Sequence, residues 1–144
     1  KLPSRLLIRQ LAGLKNGLDV TDDDGHVLYK NEMLTLPPKP SYSYAYCSDT
    51  AYTESIVAQL HGVSVLYHEA TFIEDDKAKA AETLHSTARQ AATIAVQAQA
   101  GKLLIGHFSA RYRDLLPLLQ EAKDVFANTE LATEGTCFAI DNAV

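Results

Sequence analysis

The sequence predicts an α/β protein, a sheet covered by helices, and three observations carry that expectation. Apolar runs of strand length alternate along the 144 residues with segments of helical composition. Three of the runs, within residues 44–50, 63–69 and 102–112, break into loops that hold Asp49, His68 with Glu69, and His107. Open α/β sheets present their chemistry at the carboxyl ends of strands, so these loops are expected along one edge. Finally, 47% hydrophobic residues in a chain of one-domain length are enough for a moderate core.

Composition narrows the function classes. A net charge of -5 speaks against a protein that holds nucleic acid through a general positive field. A nucleic-acid substrate stays open, because a metal pair and a few arginines can meet phosphates locally. No run approaches the roughly 20 apolar residues of a membrane span. Residues 1–5 also lack the apolar segment of a signal peptide, so a cytoplasmic protein without a membrane partner is expected. Cys47 and Cys137 fall in apparent strands, where buried free thiols are expected rather than a disulfide or a structural zinc cluster.

Taken in order, residues 1–16 place Leu6, Leu7, Leu11 and Leu14 at helical spacing, and Asn16 with Gly17 ends that helix. Asp22, Asp23, Asp24, Gly25 and His26 read as a tight turn between two short strands, since Asp-Gly supplies the positive φ a hairpin needs. The aspartates do not continue into the alternating oxygen ligands and final glutamate of a calcium loop, which favours a solvated turn. Residues 36–40, rich in proline, form a stiff extended linker. A strand over 43–48 then reaches Asp49 and Thr50. A helix of about eight residues follows through Ile56, Val57 and Leu60, and Gly62 stops it. The strand 63–67 leads to a loop at 68–76, whose Glu74, Asp75 and Asp76 complement the start of the next helix. Residues 77–84 are helical, and Ser86 or Thr87 caps a second helix over 88–100 with Gly101 as its stop. After the strand ending at His107 come a helix over 113–123 and closing strands at 125–127 and 137–140, with Gly135 at the turn before the last.

Position sorts the five histidines. His26, in a polar turn, and His61, beside Gly62, are expected at the surface. His68, His85 and His107 stand at element boundaries, where a side chain can face a cleft. Asp49 has the placement of a carboxylate that binds or bridges divalent metals, the alternative being a cap for the helix after it. His107 suits an imidazole metal ligand held by a stiff strand, with Gly106 letting the backbone come close. Glu69 and His85 suit a proton-transfer pair in which the carboxylate orients the imidazole; the alternative for Glu69 is a solvated loop charge. Together these residues outline a metal-dependent hydrolase site, present in part.

Four stretches carry a resemblance: Tyr46-Cys47-Ser48-Asp49-Thr50, His68-Glu69-Ala70-Thr71-Phe72, His85-Ser86-Thr87 and Gly106-His107-Phe108-Ser109-Ala110-Arg111-Tyr112. In order and approximate spacing they resemble the carboxyl-terminal half of ribonuclease Z, the tRNA 3′-processing endoribonucleases of the metallo-β-lactamase superfamily. The resemblance implies that Asp49 bridges two zinc ions and that His107 ligates one of them. It implies that His85 protonates the departing 3′ oxygen, with Glu69 as the partner that orients it. Ser109 and Arg111 share the His107 stretch and are matched to substrate phosphate, the alternative for Arg111 being a salt bridge to a nearby carboxylate. His68 belongs to its stretch without being a ligand. The implied fold is the carboxyl-terminal half of a four-layered αββα sandwich, a mixed sheet under helices, with residues 1–144 as a single partial domain. Precursor tRNA and a second copy, as a homodimer, are the implied partners.

One departure from that family is large. The signature His-x-His-x-Asp-His, which supplies most of the metal ligands and activates the attacking water, is nowhere in these residues. Two ligands cannot hold two zinc ions in the usual geometry, and the long arm that grips tRNA is not recognisable. The expectation is therefore a carboxyl-terminal portion, inactive without its amino-terminal half. The intact enzyme would cut the phosphodiester after the discriminator nucleotide and leave a 3′ hydroxyl on the tRNA, with a zinc-bound hydroxide as nucleophile. Two other readings stand beside this one: a phosphodiesterase of the same superfamily acting on small or cyclic nucleotides, and a non-catalytic half that serves dimerisation or scaffolding.

Overall fold

A computed structural model describes residues 8–37 and 41–140. The part of the expected first helix before Ile8, and Pro38 to Pro40 of the linker, lie outside the described residues. The chain divides into two compact units, Lys1–Pro40 and Ser41–Val144.

The first unit holds helix α1 (Ile8–Lys15), strands β1 (Val20–Thr21) and β2 (Val27–Tyr29), and a one-turn helix α2 (Asn31–Leu34). The strands pair antiparallel around the expected turn. Gly25 takes φ +87°, and one Asp22 carboxylate oxygen accepts the amides of Asp24 and His26 at 3.0 and 2.9 Å. Helix α2 carries no local start signal: the cap on the Asn31 amide is the distant Asp19 carboxylate, at 2.8 Å.

The second unit is built on one sheet of β3 (Tyr44–Cys47), β4 (Val65–Glu69), β5 (Lys102–Gly106) and β6 (Thr129–Leu131), in that spatial order. All neighbours are parallel, so among the described residues this sheet is not mixed. The cause is the strict alternation with helices: α3 (Val57–Leu60), α4 (Lys77–Glu82), α5 (Ala88–Gln97) and α6 (Leu116–Lys123) carry the chain back after each strand. Register aligns Ala45, Leu66 and Leu103 in one row and Cys47, His68 and Ile105 in the next. That face closes the core against alanines of α5, Ile94, and Leu118 and Ala122 of α6. The opposite face carries Tyr44, Tyr46, Tyr67 and Leu104, with the rings of Tyr46 and Tyr67 stacked 4.6 Å apart.

Several boundaries differ from expectation for physical reasons. Strand β4 runs on to Glu69, so His68 and Glu69 are fully buried strand residues rather than loop or cleft residues. The helix after Thr50 starts only at a 3₁₀ turn, Glu54–Ile56, which Thr53 caps; Asp49 does not cap it. The helix expected from residue 113 begins at Leu116, with Pro117 in its first turn. Neither closing strand forms. Val125 and Phe126 fold back onto α6, their amides bonding the Ala122 carbonyl at 3.1 and 2.8 Å, and the fourth strand is the more polar β6. Cys137 is accordingly exposed, whereas Cys47 in β3 is half-buried; both are free thiols.

Thr87 caps α5 through a capping box with Gln90, as its sequence announces. Gly101 does not end that helix through a positive φ. It lies where β4 and the turn before β5 pass closely, and a Cβ there would stand 2.6 Å from the Ser64 carbonyl oxygen. Backbone against backbone cannot yield cheaply, so Gly101→Ala should destabilise the chain by about 1–3 kcal/mol, read as a lower urea midpoint.

Candidate metal and proton-transfer site

Because β3, β4 and β5 are parallel and in register, their carboxyl ends share one edge of the sheet. His107 directly follows β5, and Asp49 and Thr71 are the second residues beyond β3 and β4. Asp49 and His107 both take the left-handed backbone conformation, with φ of 49° and 59°, and Leu84, just before His85, takes φ 60°. Non-glycine residues adopt this region at an energetic cost, which the surrounding structure must hold in place.

The turns aim their side chains at one point. Asp49 Oδ1 stands 3.0 Å from His107 Nε2, and the rings of His85 and His107 are 5.3 Å apart. One potential ligand atom from each of Asp49, His85 and His107 lies within 4.8 Å of the other two. Asp49 and His107 are exposed and His85 half-buried, so the cluster opens to solvent. A groove of about 490 Å³ beside His107 is lined by Phe108, Leu115, Leu131, Thr133 and Glu134.

Behind this rim lies a buried carboxylate. Glu69 Oε1 accepts His85 Nδ1–H at 2.8 Å and the Thr50 amide at 3.1 Å. Its Oε2 accepts the Thr71 hydroxyl at 2.6 Å and the Thr71 amide at 3.1 Å. Burial alone pushes the Glu69 carboxyl up, but the donors from Thr71, His85 and the Ser86 and Thr71 amides outweigh it and hold it below the usual carboxylate range. The ionised form is therefore favoured by folding. Its contribution to stability is complete above the ordinary value of 4.5 and is lost as the pH falls through the lower folded value. Glu69→Gln should flatten that acid limb in a plot of Tm against pH.

His68 lies on the helix-packed face and donates Nδ1–H to the Glu69 carbonyl at 2.7 Å; burial lowers its pKa and keeps it neutral. Ser109 is half-buried and its amide bonds the Thr71 carbonyl at 3.1 Å. Arg111 pairs with Asp76 at 3.4 Å, and its guanidinium lies 5.1 Å from the centre of the Phe72 ring. His26 and His61 are exposed. A second acidic group with a histidine, Asp22, Asp24 and His26, belongs to the hairpin turn, where the amides already occupy an Asp22 oxygen. Thr50, Thr71 and Ser86 complete the network, a role their sequence does not announce. A threonine or serine next to a strand or helix end reads as an ordinary loop or cap residue until its partner is seen.

One carboxylate oxygen and imidazole nitrogens are a donor set that suits zinc or a similar divalent ion. Their mutual spacing allows them to converge on such an ion. Three donors at most fall short of two metal ions, so the set forms one side of a centre rather than a whole one.

A family model described as a beta-lactamase superfamily domain matches residues 34–108, just over half of the chain and the stretch containing Asp49, Glu69, His85 and His107. The chain belongs to the β-lactamase superfamily. Within it, the chain is 46% identical over its whole length to ribonuclease Z of Cytophaga hutchinsonii, of which it covers 46%. The metallo-β-lactamase fold protein YhfI of Bacillus subtilis is 28% identical at a TM-score of 0.62, over 67% of this chain and 39% of that one. Human tRNase Z, short form, is 29% identical at a TM-score of 0.50, over 66% of this chain and 31% of that one. The metallo-β-lactamase fold is thus shared by helices and parallel sheet alike, and the chain spans less than half the length of the curated relatives it matches.

Proposed function

We propose that residues 1–144 form part of a single metallo-β-lactamase-like domain in a zinc-dependent endoribonuclease that removes the 3′ trailer from precursor tRNA. The observation that carries this reading is the convergence of Asp49, His85 and His107 within 4.8 Å, backed by buried Glu69, on a chain 46% identical to a ribonuclease Z. In this reading Asp49 and His107 would hold the metal. Bound zinc would supply a hydroxide nucleophile at neutral pH and polarise the scissile phosphate. Glu69 accepts the Nδ1–H of His85 and orients the ring, and the imidazolium, with a proton on each nitrogen, would pass its Nε2 proton to the departing 3′ oxygen and be left as the neutral Nδ1–H form. Ser109 and Arg111 are assigned to substrate phosphate; Arg111 would have to exchange its exposed, long contact with Asp76 for that role.

The remaining ligands would come from an amino-terminal half, with the exposed Tyr44 and Tyr46 face as the side on which the second sheet of the sandwich rests. A homodimer in the cytoplasm completes the proposal. The full-length protein, assayed on precursor tRNA, bis(p-nitrophenyl) phosphate and cyclic nucleotides, should cut the precursor and leave a 3′ hydroxyl on the tRNA. An enzyme that hydrolyses the small substrates and leaves the precursor uncut would refute the reading. The 144-residue chain alone should have no activity.

A further inference from the structure

We infer that Thr71 is the positioning residue that makes His107 a metal ligand and couples it to the Glu69–His85 pair; the inference rests on the metal-site reading above. One hydroxyl proton decides the arrangement. Thr71 Oγ1 lies 2.6 Å from Glu69 Oε2, 3.0 Å from His107 Nδ1 and 2.9 Å from the His107 carbonyl oxygen. It has a single proton to give. Glu69, with donors on both of its oxygens, can only accept, and it is both the nearest partner and the charged one. The proton therefore goes to Glu69, and the hydroxyl oxygen meets His107 as an acceptor. That requires the His107 proton on Nδ1 and leaves Nε2 as the ligating atom, on the side where Asp49 Oδ1 stands 3.0 Å away.

The backbone holds Thr71 to this task. It is 6% exposed, its carbonyl accepts the Ser109 amide at 3.1 Å, and the Ala70 amide bonds the Gly106 carbonyl at 2.8 Å. Residues 70 and 71 thus clip the loop on both sides of His107, whose φ of 59° needs such support. A valine of nearly the same shape would fill the space, leave the Glu69 carboxylate one donor short and free the imidazole to change tautomer. A partner that fixes the orientation and tautomer of a ligating histidine in this way is worth about 10- to 100-fold in metal affinity.

The test titrates zinc against a chelator in the full-length protein. Thr71→Val should bind zinc about 10- to 100-fold more weakly, and Thr71→Ser, which keeps the hydroxyl, should restore most of the affinity. In the zinc-loaded parent, nitrogen-resolved NMR should show a slowly exchanging proton on His107 Nδ1, kept in Thr71→Ser and lost in Thr71→Val. Unchanged zinc affinity in Thr71→Val overturns the inference. So does a parent protein whose His107 Nδ1 carries no protected proton, a measurement that stands even where Thr71→Val fails to fold. Asp49→Ala and His107→Ala in the same titration separate the two levels. If they lose zinc while Thr71→Val retains it, only the role of Thr71 falls; if they retain it as well, the metal-site reading falls and takes this inference with it.

Discussion

In the full-length protein, His85→Ala should lower kcat/KM for precursor tRNA by about 10²- to 10⁴-fold, the range for removing a positioned general acid, while zinc content stays at the parental level. Asp49→Ala should lose at least as much activity and zinc together. The split follows from what each side chain touches. His85 spends Nδ1 on buried Glu69, a bond that serves orientation and proton exchange, whereas Asp49 is exposed at the rim and faces His107 Nε2. Inductively coupled plasma analysis of the purified variants, beside steady-state cleavage rates, reads both quantities. A non-catalytic scaffold predicts unchanged cleavage in both variants. Loss of zinc from His85→Ala would instead make His85 a third ligand, an arrangement its distance from the other two donors permits.

Leu103→Ala should destabilise the chain by about 2–5 kcal/mol, against at most about 0.5 kcal/mol for Leu116→Ala. Leu103 is completely buried in β5, flanked by β4 and β6 and packed in the core, whereas Leu116 is 64% exposed at the start of α6. Truncation at Leu103 opens a cavity that the surrounding strands cannot close without shifting the strand that delivers His107. Urea denaturation of both variants, compared with the parent at equal slope, gives the two differences directly.

How much of this was legible beforehand depends on where each signal resides. Strands β4 and β5 are visible in sequence because buried parallel strands are nearly continuous apolar runs, and the half-exposed β3 is visible by its alternating, tyrosine-rich pattern; polar loops follow all three. The cap at Thr87 and the turn at Gly25 are visible because their chemistry is local. Strand β6 is invisible for the opposite reason: Thr129, Glu130 and Leu131 form a strand because Leu103 to Ile105 offer them a free edge. Val125 and Phe126, more strand-like in composition, serve the end of a helix and pack against the core. The burial of Glu69 was likewise hidden, since a charged residue after an apolar run reads as solvated unless its donors are known.

By itself the sequence determined the α/β alternation, the order of the strands that end at the site and the four stretches that resemble ribonuclease Z, because each of these is written in residue types a few positions apart. Only the tertiary structure decided that the sheet is parallel throughout, that Glu69 lies beneath the rim, and that Thr71 stands between Glu69 and His107. Those depend on groups 36 residues apart in the chain meeting at hydrogen-bond distance, and the direction in which a single proton points is set by the whole set of neighbours at once.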